Sequence, residues 1–205
     1  MNGRFALALL ALLIPAAAAA QSPSATPAAA RRAVPPAGEQ VAAAVLPLPE
    51  EFRAGATVLG YAPDGRLSTL RRGAGPFICL ANDPSGERFH VACYHRSLEP
   101  FMARGRALRA RGIKGDKVDT VRFAEVRAGS LALPKQPAAL YTLTGPAGAF
   151  DPTTGTAAGA RPLFAVYVPY ATAQSTGLPA RPVEGSPWIM DAGTPKAHLM
   201  FVPGM

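Results

Sequence analysis

FICLANDPSGERFHVACYHRSLEPF, residues 77–101, holds both cysteines of this 205-residue chain and two of its three histidines. Two β-rich runs, PFICLA and RFHVACY, flank NDPSGE, in which Pro84 and Gly86 mark a turn. With the turn centred near Gly86, Cys79 and Cys93 stand opposite each other on adjacent strands. That placement suits the Cα separation of a disulfide, and two cysteines so placed most simply oxidise if the chain reaches an oxidising compartment. Three other readings stay open: a metal site, a Cys–His nucleophile and a pair of buried thiols. A metal needs convergent ligands, yet alternation along a strand puts His90 on one face and Cys93 and His95 on the other. A nucleophile would pair Cys93 with His95, and no nucleophile motif surrounds them. No metal or cofactor is expected.

The stretch runs on into LEPFMARGRALRARG. Glu99 and Pro100 suit a first helical turn, Ser97 a cap before it, and Gly112 a stop. Leu98, Phe101, Met102, Gly105 and Leu108 share one face of such a helix. Gly105 in mid-helix costs about 1 kcal/mol against alanine, so a close approach of another backbone is expected there. Arg104 and Arg111 lie along one edge of the stripe, and Arg106 and Arg109 lie toward the other. They read either as snorkelling side chains or, at Arg104 and Arg111, as an anion-binding ridge.

Outward from this centre, TVLGYAPDGRLSTLRR reads as a hairpin. DKVDTVRFAEVRAG reads as a second helix, with Asp116 and Asp119 at its start. AALYTLTG, PLFAVYVPY and residues 197–202 read as strands, and GAFDPTTGTAAGAR as a loop. Strands outnumber helices and several join by short turns. The fold class predicted is α+β: one domain over residues 50–205, a mainly antiparallel sheet with one or two helices packed on one face.

The N-terminal MNGRFALALLALLIPAAAAA has a positive Arg4, an apolar run to Ile14, and Ala18 and Ala20 placed for signal-peptide cleavage. Residues 1–20 are expected to be removed before Gln21. The apolar run is too short for a bilayer core of about 30 Å, and no later segment reads as a transmembrane helix. Residues 21–49, rich in alanine and proline, read as a flexible leader with a short helix over GEQVAAAV. The chain carries 21 Lys+Arg against 13 Asp+Glu; without Arg4 the formal charge is +7. A periplasmic or extracellular location follows. Positive charge there suits an anionic envelope polymer or lipid surface. Nucleic acid is not an expected partner, because no basic stretch is interleaved with aromatics.

PWIMDAGTPKAHLMF contains the sole tryptophan, Trp188, with Asp191 and His198 on either side of a turn. An aspartate can orient a histidine base, but an Asp capping its own turn and a His that is merely a strand residue fit equally. No G-x-S-x-G, H-E-x-x-H, P-loop or Rossmann fingerprint is present. This segment, with CLANDPSGERFHVACYHRSLEPFMARGRALRARG and ALYTLTGPAGAFDPTTGTAAGARPLF, resembles a group of uncharacterised exported bacterial proteins. The resemblance implies export and a single domain, and nothing catalytic. The leading expectation is an exported, non-catalytic domain with an envelope-binding or structural role. The alternative is a small exported hydrolase using His198, Asp191 and His95.

Overall fold

Helix α1 (Ala37–Ala44) opens the part of the chain that the computed structural model describes, residues 33–203. The expected signal peptide and residues 21–32 of the expected leader lie outside the described residues. Next come α2 (Glu50–Arg53), β1 (Thr57–Tyr61), β2 (Leu67–Arg71), β3 (Phe77–Leu80) and β4 (Phe89–His95). A 3-10 turn (Arg96–Leu98) leads into α3 (Glu99–Ala110), then α4 (Asp116–Arg127). The chain closes with β5 (Ala138–Gly145), β6 (Phe150–Asp151), β7 (Thr156–Ala157), β8 (Arg161–Tyr167), α5 (Ala173–Thr176), β9 (Trp188–Met190) and β10 (His198–Phe201). Eight strands form one sheet in the order β2-β1-β3-β4-β5-β8-β10-β9, while β6 and β7 make a separate two-stranded ribbon. The class is α+β and the sheet is mainly antiparallel, as the strand-rich pattern predicts.

The central hairpin forms as read. Cys79 pairs with Cys93 across β3 and β4, and the two are joined by a disulfide with Cα atoms 4.0 Å apart. Both thiols are consumed, which removes the Cys–His nucleophile and the free-thiol reading.

One pairing departs from the antiparallel rule: β1 lies parallel to β3. The chain leaves β2, crosses the start of β1 in residues 72–76 and enters β3 on its other side. That crossing is tight. A Cβ on Gly73 would sit 2.2 Å from the Gly55 carbonyl oxygen, and one on Gly75 would sit 2.7 Å from it, so only glycine passes here. Thr57 Oγ1 donates to the Gly73 carbonyl at 3.0 Å, and Arg96 Nη2 donates to the carbonyls of Gly73 and Gly75 at 3.0 and 2.9 Å.

The ladder registers sort the side chains by face. Val58, Phe77, Cys79, Val91, Cys93 and Tyr141 share one face, and Ile78, Tyr94, Leu140, Ala165, Tyr167 and Met200 share the other. The first face is covered by α1 and the turn after it: Ala44, Val45 and Leu48 pack on Val58, Phe77 and the disulfide. The leader boundary at residue 49 is therefore corrected. Gln40, buried, fixes α1 to the sheet: its Nε2 donates to the Tyr61 carbonyl at 3.0 Å and its Oε1 accepts from Tyr61 N at 2.8 Å. Alanine-rich helices show little periodicity, and here a single buried amide adds polar anchoring to the apolar contacts.

The second face is covered by Leu98 and Met102 against Ile78, Tyr94 and Tyr167. Leu98, Phe101, Gly105 and Leu108 are buried as the stripe predicts. Ser97 lies in the 3-10 turn rather than capping α3, and His95 Nδ1 accepts from its backbone N–H at 3.3 Å. Gly112 stops α3: Gly112 N bonds to the Arg109 carbonyl and Ile113 N to that of Leu108, a Schellman ending. The close approach at Gly105 is a side chain, not another backbone. Its Cβ position lies 3.0 Å from Nη1 of Arg122 on α4.

Candidate functional site

The turn between β9 and β10 brings together the residues that carry most of the acid–base chemistry. Asp191 adopts φ 52°, and Tyr170, on the neighbouring loop, φ 64°; they are the only non-glycine residues with positive φ among the described residues. Tyr170 N donates to the Thr194 carbonyl at 2.8 Å and Gly193 N to that of Ala171 at 2.7 Å, which ties the two loops together.

Asp191 and His198 do come close, as the sequence allows, but not as a dyad. Asp191 Oδ2 lies 3.8 Å from His198 Nδ1, too far for a hydrogen bond. Nδ1 instead donates to the Lys196 carbonyl at 2.7 Å. A carbonyl can only accept, so Nδ1 carries a proton, and in the neutral ring the lone pair would sit on Nε2. The buried ring stacks on Tyr167, centroids 5.0 Å apart.

Lys196 occupies the position between the carboxylates. Its Nζ lies 3.0 Å from Asp119 Oδ2 on α4 and 3.3 Å from Asp191 Oδ2. Asp119 also accepts from Arg122, whose guanidinium lies 3.9 Å over the Phe101 ring and donates to the Phe101 carbonyl at 3.2 Å. Burial alone would raise the Asp119 pKa; the bonds from Arg122 and Lys196 outweigh it and hold the carboxyl below its ordinary value. Burial would likewise lower Lys196, and Asp119 reverses that and raises it. Burial raises the Tyr167 phenol. Two carboxylates thus face two cations, and the cluster is neutral within itself.

His95 does not join them. It shares the face of Cys93, whereas His198 shares that of Tyr167, and two strands, β5 and β8, stand between. Three strand spacings amount to about 14 Å, across opposite faces of the sheet. His95 Nδ1 bonds Ser97 Oγ at 2.8 Å.

The ridge expected from Arg104 and Arg111 is also redrawn. Arg104 is held by both carboxylate oxygens of Glu125, twenty-one residues on. Arg106 bonds Glu99 and the Tyr94 hydroxyl, each at 2.7 Å. Arg111 is exposed at the end of α3, and around it stand Arg109, Lys114 and Lys117, also exposed. None of these four has an ion-pair partner among the described residues. In residues 109–117, RARGIKGDK, Asp116 is the single acid. The cations therefore gather at the tip of the α3–α4 hairpin rather than along an edge of α3. Helical spacing could not show this, because the tip is a turn; the local run of charge was the available signal.

No protein-family model matches this chain, and no curated protein or solved structure matches it. Among the described residues no helix is long and apolar enough to cross a membrane.

Proposed function

We propose that this protein is an exported, non-catalytic domain of the periplasm or cell surface that binds an anionic envelope polymer or lipid surface through the α3–α4 tip. The observation that carries the reading is the contrast between two charged regions. The acid–base cluster satisfies its own charges, whereas Arg109, Arg111, Lys114 and Lys117 present unpaired cations to solvent. The buried disulfide supports an oxidising compartment. The hydrolytic alternative keeps one supporting feature, the Nε2 of His198, which has no hydrogen-bond partner among the described residues, but Asp191 is turned to Lys196 and His95 lies on the other face.

The test is a titration of wild type and of Arg111→Gln/Lys114→Gln/Lys117→Gln with vesicles of phosphatidylglycerol, of phosphatidylcholine, and with dextran sulfate, each at low and high salt. Each cation near an anionic surface contributes about 1 kcal/mol, so the triple variant should lose about a hundredfold in affinity for an anionic surface and most of its salt dependence. Its unfolding midpoint should hardly move, since exposed substitutions stay within about 0.5 kcal/mol. Equal binding by the variant, or equal binding to neutral vesicles, would reject the reading. Export is checked separately: the intact mass of protein recovered from the periplasm or medium should begin at Gln21.

A further inference from the structure

At the other end of β9 and β10 from the Asp191–His198 turn, a groove of about 670 Å³ opens between the end of β10 and the segment before β9. This volume lies within the range of ligand sites. Pro182, Pro187 and Pro203 form its walls with Val183, Phe201 and Trp188. Val183 and Phe201 are among the most exposed large apolar side chains of the described residues. Trp188 is only 9% exposed, and its buried indole N–H finds no acceptor among the described residues. Glu184 also lines the groove, exposed and without an ion pair among the described residues.

We propose that this groove binds a proline-rich segment of a partner protein in the polyproline II conformation, with an arginine beside the prolines. Each feature selects that chemistry. A polyproline II strand makes no internal hydrogen bonds, so its carbonyls remain free to accept from the Trp188 N–H. Prolines bring those acceptors without N–H donors of their own. Their ring faces suit a wall of prolines and aromatics. Glu184 supplies a carboxylate for a charge-assisted bond to the arginine. Addition of an ordinary β-strand at this margin fits less well, because the central donor of β9, Ile189 N, is already bonded to the Pro179 carbonyl at 2.9 Å.

Trp188, the sole tryptophan, reports on its own site. The full chain is titrated with the acetylated, amidated peptide PPAPPR while tryptophan emission is read. Controls are AAAAAR and PPAPPE. A saturable emission change with PPAPPR, much reduced with both controls, is the expected result. The α3–α4 tip would favour the acidic peptide, so the two proposals separate. Anisotropy of fluorescein-labelled PPAPPR then measures two variants whose fold is checked by circular dichroism. Trp188→Phe keeps a ring but removes the donor, and should weaken binding about five- to tenfold. Glu184→Gln should weaken it about threefold and flatten its salt dependence. The proposal is overturned by any of four results: no saturable change up to about 1 mM peptide, equal binding of AAAAAR, undiminished binding by the folded variants, or an emission change on concentrating the protein alone, which would mean a second copy fills the groove.

Discussion

Removing Asp119 should harm this fold more than removing Arg122, although the two form one ion pair. The Arg122 side chain is 5% exposed and that of Asp119 is 25% exposed. Asp119→Asn leaves the guanidinium in the interior without a counter-charge, with the Phe101 carbonyl at 3.2 Å, the Phe101 ring beneath it and a neutral amide oxygen in place of the carboxylate. Breaking a buried pair from one side costs about 3–5 kcal/mol; the remaining contacts at Phe101 place this case near the lower bound, at about 3 kcal/mol. Arg122→Met removes the charge instead of stranding it. Asp119 then keeps Lys196 at 3.0 Å and its own access to water. Arg122 Nε is buried without a partner, and methionine relieves that too. The loss is one hydrogen bond and the ring contact, about 1 kcal/mol. Urea melts at neutral pH measure both, with unchanged m values to certify that only stability moved. At an m of about 2 kcal/mol per molar, the two midpoints should differ by about 1 M. The double variant should resemble Arg122→Met, because with the guanidinium gone nothing is stranded. If Arg122→Met destabilises as much as Asp119→Asn, or the double variant shows the sum of both losses, the assignment of Arg122 as the buried partner is mistaken.

The same pair sets an acid limit. Asp119 is depressed in the folded chain, so its contribution is complete above the ordinary aspartate value of about 3.9 and fades as pH falls through the lower folded value; the urea midpoint of Asp119→Asn should fall less steeply below that pH than wild type. Lys196 is raised, so its contribution persists through neutral pH and is lost only as pH rises through its elevated value. Thiol labelling of the denatured, unreduced protein should find no free cysteine, and Cys79→Ala/Cys93→Ala should cost about 3 kcal/mol for a loop of this length, read from the melt. Phe101→Ala should cost about 3–5 kcal/mol, while Arg104→Gln, which loses a partly exposed pair with Glu125, should hardly move the midpoint. Gly105→Ala gains helix propensity but displaces the guanidinium of Arg122, so it should destabilise wild type and stabilise the Arg122→Met background, a reversal visible in the same melts.

The local parts of this structure were legible in the sequence. A turn at Pro84 and Gly86 between β-rich runs is enough to oppose Cys79 and Cys93. A stripe of Leu98, Phe101 and Leu108 is enough to say which side of α3 is buried. What stayed hidden depends on partners far along the chain. Nothing near Arg104 names Glu125, and nothing near Gly105 names Arg122. The short helix over GEQVAAAV was readable, but its docking on the sheet was not, because it is made by small residues and one buried glutamine that mark no clear apolar face. The parallel pairing of β1 escaped because RRGAGP reads as an ordinary loop; only when Gly55 lies beneath Gly73 do its glycines become a requirement. At the candidate site, proximity of Asp191 and His198 was readable from the turn between them. The intrusion of Lys196, drawn by Asp119 from another element, was not.

The crossing of residues 72–76 over β1 also orders events in time. The hairpin of β1 and β2 can close as soon as Arg71 has emerged, but the other side of β1 must wait for β3. The clamp on the crossing, Arg96, arrives later still, after β4. Until β3 is complete at Leu80, β1 presents an unpaired edge of apolar residues. A cell making this chain therefore carries, for the span of about ten residues of synthesis, a half-zipped hairpin of the kind that seeks other strands, and the crossing stays unclamped for about fifteen more. Loss of Arg96 would prolong that interval while leaving both hairpins themselves untouched, so its damage should fall on yield from folding more than on the melt of the finished protein.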